Sequence, residues 1–206
     1  MRGLAYLLAL GMVASGCGST AAAPSASPTR LATATVARAT AIPATPGVPA
    51  FGQCAITLFQ LAKTPSKAVI TLEKGGTITI ALRPDKAPST VTNFANVALS
   101  GCYNGLTFHR VELTPPFVIQ GGDPLGNGNG GGNQPAEYND LSFVKGAVGI
   151  ARAGDKAINN RMQFFICIGM CTFLDKEYTN FGLVTDGQSV ADGVKVGDKI
   201  KTITVE

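Results

Sequence analysis

From Ala68 onward the chain is written in short β-forming runs separated by Gly, Asn and Asp, with one helical stripe among them. That order of elements constrains the fold more than any other feature. Ala68–Leu72 and Thr77–Leu82 are rich in β-branched residues, and Lys74-Gly75-Gly76 between them suits a hairpin turn. Pro84-Asp85-Lys86 ends the second run, and Pro88 fits the first turn of a helix. Val91, Phe94, Ala95, Ala98 and Leu99 then recur at i, i+3, i+4, i+7 and i+8, one apolar helical face, and Gly101 is a natural stop. The rest is β runs: Thr107–Arg110, Phe117–Gln120, Ala147–Ala151, Gln163–Ile168, Phe181–Val184 and Lys199–Val205. One helix followed by many short strands predicts a mainly β fold, a closed antiparallel barrel with helical covers.

The N-terminal third has a different texture. Residues 1–62 hold three cations, Arg2, Arg30 and Arg38, and no carboxylate. Residues 63–206 carry 14 Lys and Arg against 13 Asp and Glu, so the net charge of +4 belongs mostly to the N-terminal segment. A near-neutral body removes most of the support for a nucleic-acid partner. Met1-Arg2, the apolar run Leu4–Val13, and Ala14-Ser15-Gly16 before Cys17 resemble a bacterial lipoprotein signal, in which the cysteine is lipidated and becomes the first mature residue. The alternative is an ordinary secretory signal cleaved nearby. The apolar run is too short to span a bilayer as a helix, so the expected membrane attachment is a lipid anchor at Cys17. In residues 18–50, Ala, Thr, Pro and Ser supply 25 of 33 positions. Such a segment buries too little apolar surface to offset its ordering entropy and is expected to be a disordered tether.

The usual catalytic kits are missing. His109 is the only histidine, and its neighbours place it in a strand, where a structural role is the better expectation. No G-x-S-x-G elbow occurs, the carboxylates form no evident pair, and no metal or cofactor is expected. Gly126-Asn-Gly-Asn-Gly-Gly-Gly132 lacks the Gly-Lys-Ser/Thr ending of a phosphate loop and reads as a flexible surface loop.

The informative blocks are Tyr103-Asn-Gly-Leu-Thr-Phe-His-Arg-Val111, Phe117-Val-Ile-Gln-Gly-Gly-Asp-Pro124, Gly149-Ile-Ala-Arg-Ala-Gly154, Gln163-Phe-Phe-Ile166, Phe173-Leu-Asp175 and Tyr178-Thr-Asn-Phe-Gly182. In this order and near this spacing they resemble the cyclophilin family of peptidyl-prolyl cis-trans isomerases, from about Ala68 to Glu206. The resemblance implies a closed eight-stranded antiparallel barrel capped by two helices. Three regions follow: a lipoprotein signal peptide over 1–16, a lipid-anchored linker over 17–52 and a cyclophilin-like isomerase domain over 53–206.

The resemblance also implies a site. Arg110 would be the catalytic arginine, with Gln120 orienting it and Phe117 beside it. Val118, Phe165 and Leu174 would join Phe117 in a proline pocket. Ala151, Arg152 and Ala153 would line the groove and pair with the substrate backbone, with Phe173 and Tyr178 alongside. Two segments depart from the common pattern. Val111–Pro116 is about two residues longer, and Gly154–Met162 is also about two longer and lacks Asn-Gly-Ser before Gln163. Both flank the expected groove. Phe173 stands where many eukaryotic members have a tryptophan whose indole N–H helps bind the inhibitor cyclosporin.

With Cys17 lipidated, Cys54, Cys102, Cys167 and Cys171 remain, and an even number outside the cytoplasm permits two disulfides in any of three pairings. Cys54 with Cys102 would staple the segment before the barrel to the body. Cys167 and Cys171 cannot meet along a straight strand, but a turn beginning at Gly169 would relax this. Free buried thiols are the alternative.

The leading expectation is therefore an extracytoplasmic, membrane-tethered, monomeric isomerase acting on X-Pro bonds of exported, proline-containing polypeptides. A non-catalytic proline-peptide-binding or scaffold module on the same barrel is the alternative. Closure of the groove by residues 112–116 would favour it. A lipid-anchored solute-binding protein fits the leader but not the Phe-His-Arg and Gln-Gly-Gly-Asp blocks.

Overall fold

The computed structural model describes residues 54–206 and, before them, the two-residue strand β1 (Thr40–Ala41). The expected signal peptide, Cys17 and the rest of the expected linker lie outside the described residues. β1 pairs antiparallel with β2 (Phe59–Gln60).

The body begins with the hairpin β3 (Lys67–Leu72) and β4 (Thr77–Leu82). Its turn needs two left-handed residues, and Gly75 and Gly76 supply them with φ of +94° and +90°. In both strands alternate side chains are buried, as expected of strands with one face on a core. Helix α1 (Pro88–Leu99) starts on its proline and buries Val91, Phe94, Ala95 and Ala98. Leu99, the last member of the expected stripe, is only half-buried. No side chain of its own caps the helix. The Glu137 carboxylate instead accepts from the Ser89 and Thr90 amides at 3.0 and 2.6 Å.

The remaining strands are β5 (Phe108–Leu113), β6 (Pro116–Gly121), β7 (Asn133–Pro135), β8 (Ala147–Arg152), β9 (Ile158–Cys167), β10 (Asn180–Asp186) and β11 (Ile200–Val205). A short helix, α2 (Gln188–Asp192), precedes the last strand. The antiparallel path β11-β3-β4-β10-β8-β9-β6-β5 has eight strands, and β7 pairs on β9 outside it. The two ends of the path meet. Thr107 bridges Lys199, the Phe108 amide donates to Asp198 at 2.9 Å, and the Ile200 amide donates to Leu106 at 2.9 Å. The sheet thus curls onto itself, giving the expected mainly β barrel with two helices.

Strand β9 shows how the site is built. Met162, Phe164 and Ile166 point into the main core with Phe94, Tyr103, Phe108 and Phe181. Phe165 and Cys167 point to the opposite face, into a smaller cluster with Val118, Phe143, Ala147, Ala151, Cys171 and Leu174. From Phe164 to Cys167 the strand is buried on both faces, so this stretch is a continuous apolar run rather than an alternation. The second cluster underlies the groove described below.

Cys54 and Cys102 form a disulfide with their Cα atoms 5.6 Å apart. It joins the segment before the barrel to the turn after α1. Phe59 and Thr57 donate their amides to Asn96 Oδ1 and Ser100 Oγ at 2.9 and 2.8 Å, and Ile56 enters the main core. Cys167 and Cys171 are free and buried.

Three local expectations change. β5 runs on to Leu113, which pairs with Pro116, so the extra residues lengthen a hairpin. β9 starts at Ile158, so half of the second extra segment is strand, held by β7. The glycine loop is pinned rather than free: the buried Asp123 carboxylate accepts from the Leu125, Asn127 and Gly128 amides at 3.0, 2.8 and 2.5 Å.

Candidate active site

Four neighbouring strands carry the site in one row. Arg110 on β5 is the cross-strand partner of Gln120 on β6, Gln120 of Phe165 on β9, and Phe165 of Gly149 on β8. Gly149 has no side chain for a steric reason. A Cβ there would lie 2.3 Å from Phe165 and 2.7 Å from Phe143. Its absence lets the two rings stack at 5.5 Å between centroids.

Above this row lies a cavity of about 250 Å³ lined by Arg110, Phe117, Val118, Gln120, Ala151, Arg152, Phe165, Phe173, Leu174 and Tyr178. The expected site residues therefore converge on one place, except Ala153. That residue is exposed beyond the wall, and its carbonyl accepts from Arg152 Nη1 at 3.0 Å. None of residues 112–115 lines the cavity.

The polar rim is a relay of hydrogen bonds. Arg110 Nη1 donates to Gln120 Oε1 at 3.2 Å, and Gln120 Nε2 donates to Gln163 Oε1 at 2.9 Å. Gln163, 2% exposed, donates from its own Nε2 to the carbonyls of Gly128 and Gly130 at 3.0 and 2.8 Å. The pinned glycine loop thus anchors a side-chain relay that ends at Arg110. On its other side the Arg110 Nε donates to Glu112 Oε1 at 3.1 Å.

The apolar part is held by aromatic contacts. The Arg110 guanidinium sits 5.6 Å from the Phe117 ring centroid, and Phe117 meets Phe173 at 5.0 Å. Phe173 belongs to a single helical turn, Thr172–Leu174, and is 66% exposed, so it forms a rim rather than a floor. Phe165, Val118 and Leu174 are the buried floor. Tyr178 meets Phe165 edge-on at 5.7 Å and carries Arg152 4.6 Å above its ring. The Arg152 side chain is 11% exposed and fixed by the Glu177 carbonyl at 3.0 Å from Nε, so it acts as part of the wall.

The turn carrying Phe173 is tied down from beneath. Asp175 accepts from the Phe143 amide at 2.6 Å, and the Cys171 amide donates to Phe143 at 2.9 Å. The Cys171 thiol donates to the Phe117 carbonyl at 3.3 Å. A hydrogen bond between the Cys171 and Cys167 sulfurs, together with burial, pushes the Cys167 thiol far up.

The sole histidine stands outside the cavity wall. Both ring nitrogens of His109 are buried without a hydrogen-bond partner among the described residues. Burial depresses its basicity; Asp123 partly offsets this and Arg110 adds to it. Sequence reasoning missed two members of the rim. Gln163 stands in the Gln-Phe-Phe-Ile block, which assigns it no role, and Glu112 lies beyond the β run Thr107–Arg110 that the sequence predicts. Among the described residues, no group of three or more His, Cys, Asp or Glu side chains could hold a metal, and no helix is long and apolar enough to cross a membrane.

An arginine held over an apolar cavity on the face of an antiparallel barrel defines a class, and the comparisons agree with it. The family described as cyclophilin type peptidyl-prolyl cis-trans isomerase/CLD matches residues 68–205. A peptidyl-prolyl cis-trans isomerase of Synechococcus elongatus is 38% identical over 144 residues, covering 68% of this chain and 96% of that one. Peptidyl-prolyl cis-trans isomerase B of Bacillus subtilis is 41% identical over 139 residues, covering 66% and 94%. A cyclophilin-type isomerase of Cryptosporidium parvum, solved in the presence of the dipeptide Ala-Pro, superposes with a TM-score of 0.60 at 28% identity over 68% of this chain and 98% of that one. The chain belongs to the cyclophilin-type peptidyl-prolyl cis-trans isomerases, and its enzyme class is that of the family.

Proposed function

We propose that the protein isomerises X-Pro bonds of exported polypeptides from a lipid anchor at Cys17, with residues 17–52 as the linker and 53–206 as the catalytic domain. The observation that carries the chemistry is the Arg110–Gln120 pair at the rim of a cavity floored by Phe165, Val118 and Leu174.

The X-Pro bond turns slowly because its partial double bond gives a barrier of about 20 kcal/mol. Lowering that barrier needs no nucleophile, metal or proton acceptor. It needs a donor that competes for the nitrogen lone pair as the amide twists, a dry seat for the ring and groups that hold the peptide. An acceleration on the order of 10⁵-fold requires about 7 kcal/mol of preferential transition-state binding.

In this reading Arg110 donates toward the prolyl nitrogen, since its permanently charged guanidinium offers several donors in one plane. Gln120 holds that plane. Phe117, Val118, Phe165 and Leu174 seat the ring, the Ala151–Ala153 edge pairs with the substrate backbone, and Phe173 and Tyr178 border the groove. The Ala-Pro dipeptide present with the Cryptosporidium relative supports a proline-containing substrate. The Cys54–Cys102 disulfide supports an oxidising, extracytoplasmic location. The near-neutral body supports a partner other than nucleic acid, and the chain is read as a monomer. The experiment is an NMR exchange assay on a proline peptide with wild type and Arg110→Ala, joined to mass analysis of the mature N-terminus for a lipid on Cys17.

A further inference from the structure

We infer that Glu112 is a positioning residue for catalysis: its carboxylate fixes the Arg110 guanidinium from the side opposite Gln120. The inference rests on the proposed isomerase role of Arg110.

Arg110 and Glu112 are two apart on β5, so their side chains leave the same face of the strand. The contact is made to Nε, next to the last rotatable bond of the arginine, at 3.1 Å. Gln120 engages Nη1 at 3.2 Å. One hydrogen bond leaves a guanidinium free to swing about it, whereas two at different nitrogens fix its plane. Among the described residues these are the two side chains that hydrogen-bond to Arg110, at Nε and Nη1, and neither occupies Nη2.

The two restraints differ in support. Gln120 is braced by Gln163 and the glycine loop. Among the described residues Glu112 has the strand alone to brace it, and it is there because the extra residues lengthen the β5–β6 hairpin out to the Leu113–Pro116 pair. Arg110 and Glu112 are 45% and 49% exposed, so the pair contributes little to folding. Its consequence is orientation: a guanidinium already held in plane loses less freedom when it reaches the transition state. The segment that departs from the family pattern thus supports the site instead of covering it.

The test uses the full-length protein with Glu112→Ala and Glu112→Gln beside Arg110→Ala. Glutamine keeps an oxygen acceptor for Nε and loses the charge. Glu112→Ala is expected to lower kcat about tenfold with KM and melting temperature little changed, and Glu112→Gln to recover most of that loss. The Arg110 Nε–H resonance, assigned by its absence in Arg110→Ala, should exchange slowly with water in wild type and Glu112→Gln and rapidly in Glu112→Ala. Wild-type kcat in Glu112→Ala, or an equal loss in both Glu112 variants, overturns the inference while leaving Arg110 as the catalytic group. A wild-type protein without isomerase activity overturns the functional reading itself.

Discussion

Arg110 and Gln120 are cross-strand partners on β5 and β6, and their side chains meet at 3.2 Å over the mouth of the cavity. The contact follows from strand register. A shift of one residue in either strand would send one of the two side chains to the other face of the sheet. Gln120 is in turn bonded to Gln163, and Gln163 to two carbonyls of a loop organised by Asp123. The orientation of the arginine is therefore set by backbone some distance from the chemistry.

The relay gives Gln163 a measurable weight. Gln163→Leu removes both the partner of Gln120 and the donor to Gly128 and Gly130. The expected result is a fall in kcat/KM of about tenfold and a stability loss of about 1–2 kcal/mol, because the two carbonyls lose their donor. Peptide-exchange kinetics and urea denaturation of the variant check both.

Phe173 lacks the indole N–H that tryptophan would place on the exposed rim. Wild type is expected to bind cyclosporin weakly, and Phe173→Trp to gain at least about fivefold, the worth of one hydrogen bond of about 1 kcal/mol. Titration calorimetry compares the two. Nanomolar inhibition of wild type contradicts the assignment.

His109 gives stability a specific pH dependence. Burial, with Asp123 opposing and Arg110 assisting, holds its pKa below the ordinary 6.5. The unfolded chain then binds the proton more readily than the folded one. The contribution of His109 is complete above about pH 6.5 and is lost as pH falls from there toward the folded-state pKa. Because the chain has one histidine, its ring proton titrates alone by NMR. A midpoint below 6.5, and a shallower acid limb in His109→Phe, are expected.

The Cys54–Cys102 bridge closes a loop of 48 residues. On the chain-entropy account it stabilises the fold by about 4 kcal/mol, and by less if the reduced chain retains structure. Neither cysteine lines the cavity. Replacing both by alanine is expected to lower the denaturation midpoint by a corresponding amount while the exchange rate on a peptide stays at the wild-type level. Equal midpoints with and without reductant contradict the bridge.

The sequence made some of this legible and left other parts hidden for physical reasons. The apolar stripe of α1 and the glycine turn at 75–76 are local signals, and local signals suffice for them. Arg110, Phe117, Gln120 and Phe165 were reachable because the motif blocks keep their order. Glu112 was hidden because its placement depends on β5 running past Arg110 instead of ending there. The bracing of Gln163 spans more than 30 residues, from β9 to the glycine loop, and no local pattern reports it. The two buried faces at the end of β9 were illegible for a different reason, since the run Phe164–Cys167, apolar on both faces, carries no period that says which side faces the groove.

The most direct measurement is exchange spectroscopy on an Ala-Pro-containing peptide at equilibrium, with the protein at catalytic concentration. Wild type should exchange cis and trans peptide signals far faster than the uncatalysed rate. Arg110→Ala, still folded, should be slower by at least about a hundredfold, the scale seen when a transition-state donor is removed. Equal rates for the two proteins would contradict the central role of Arg110.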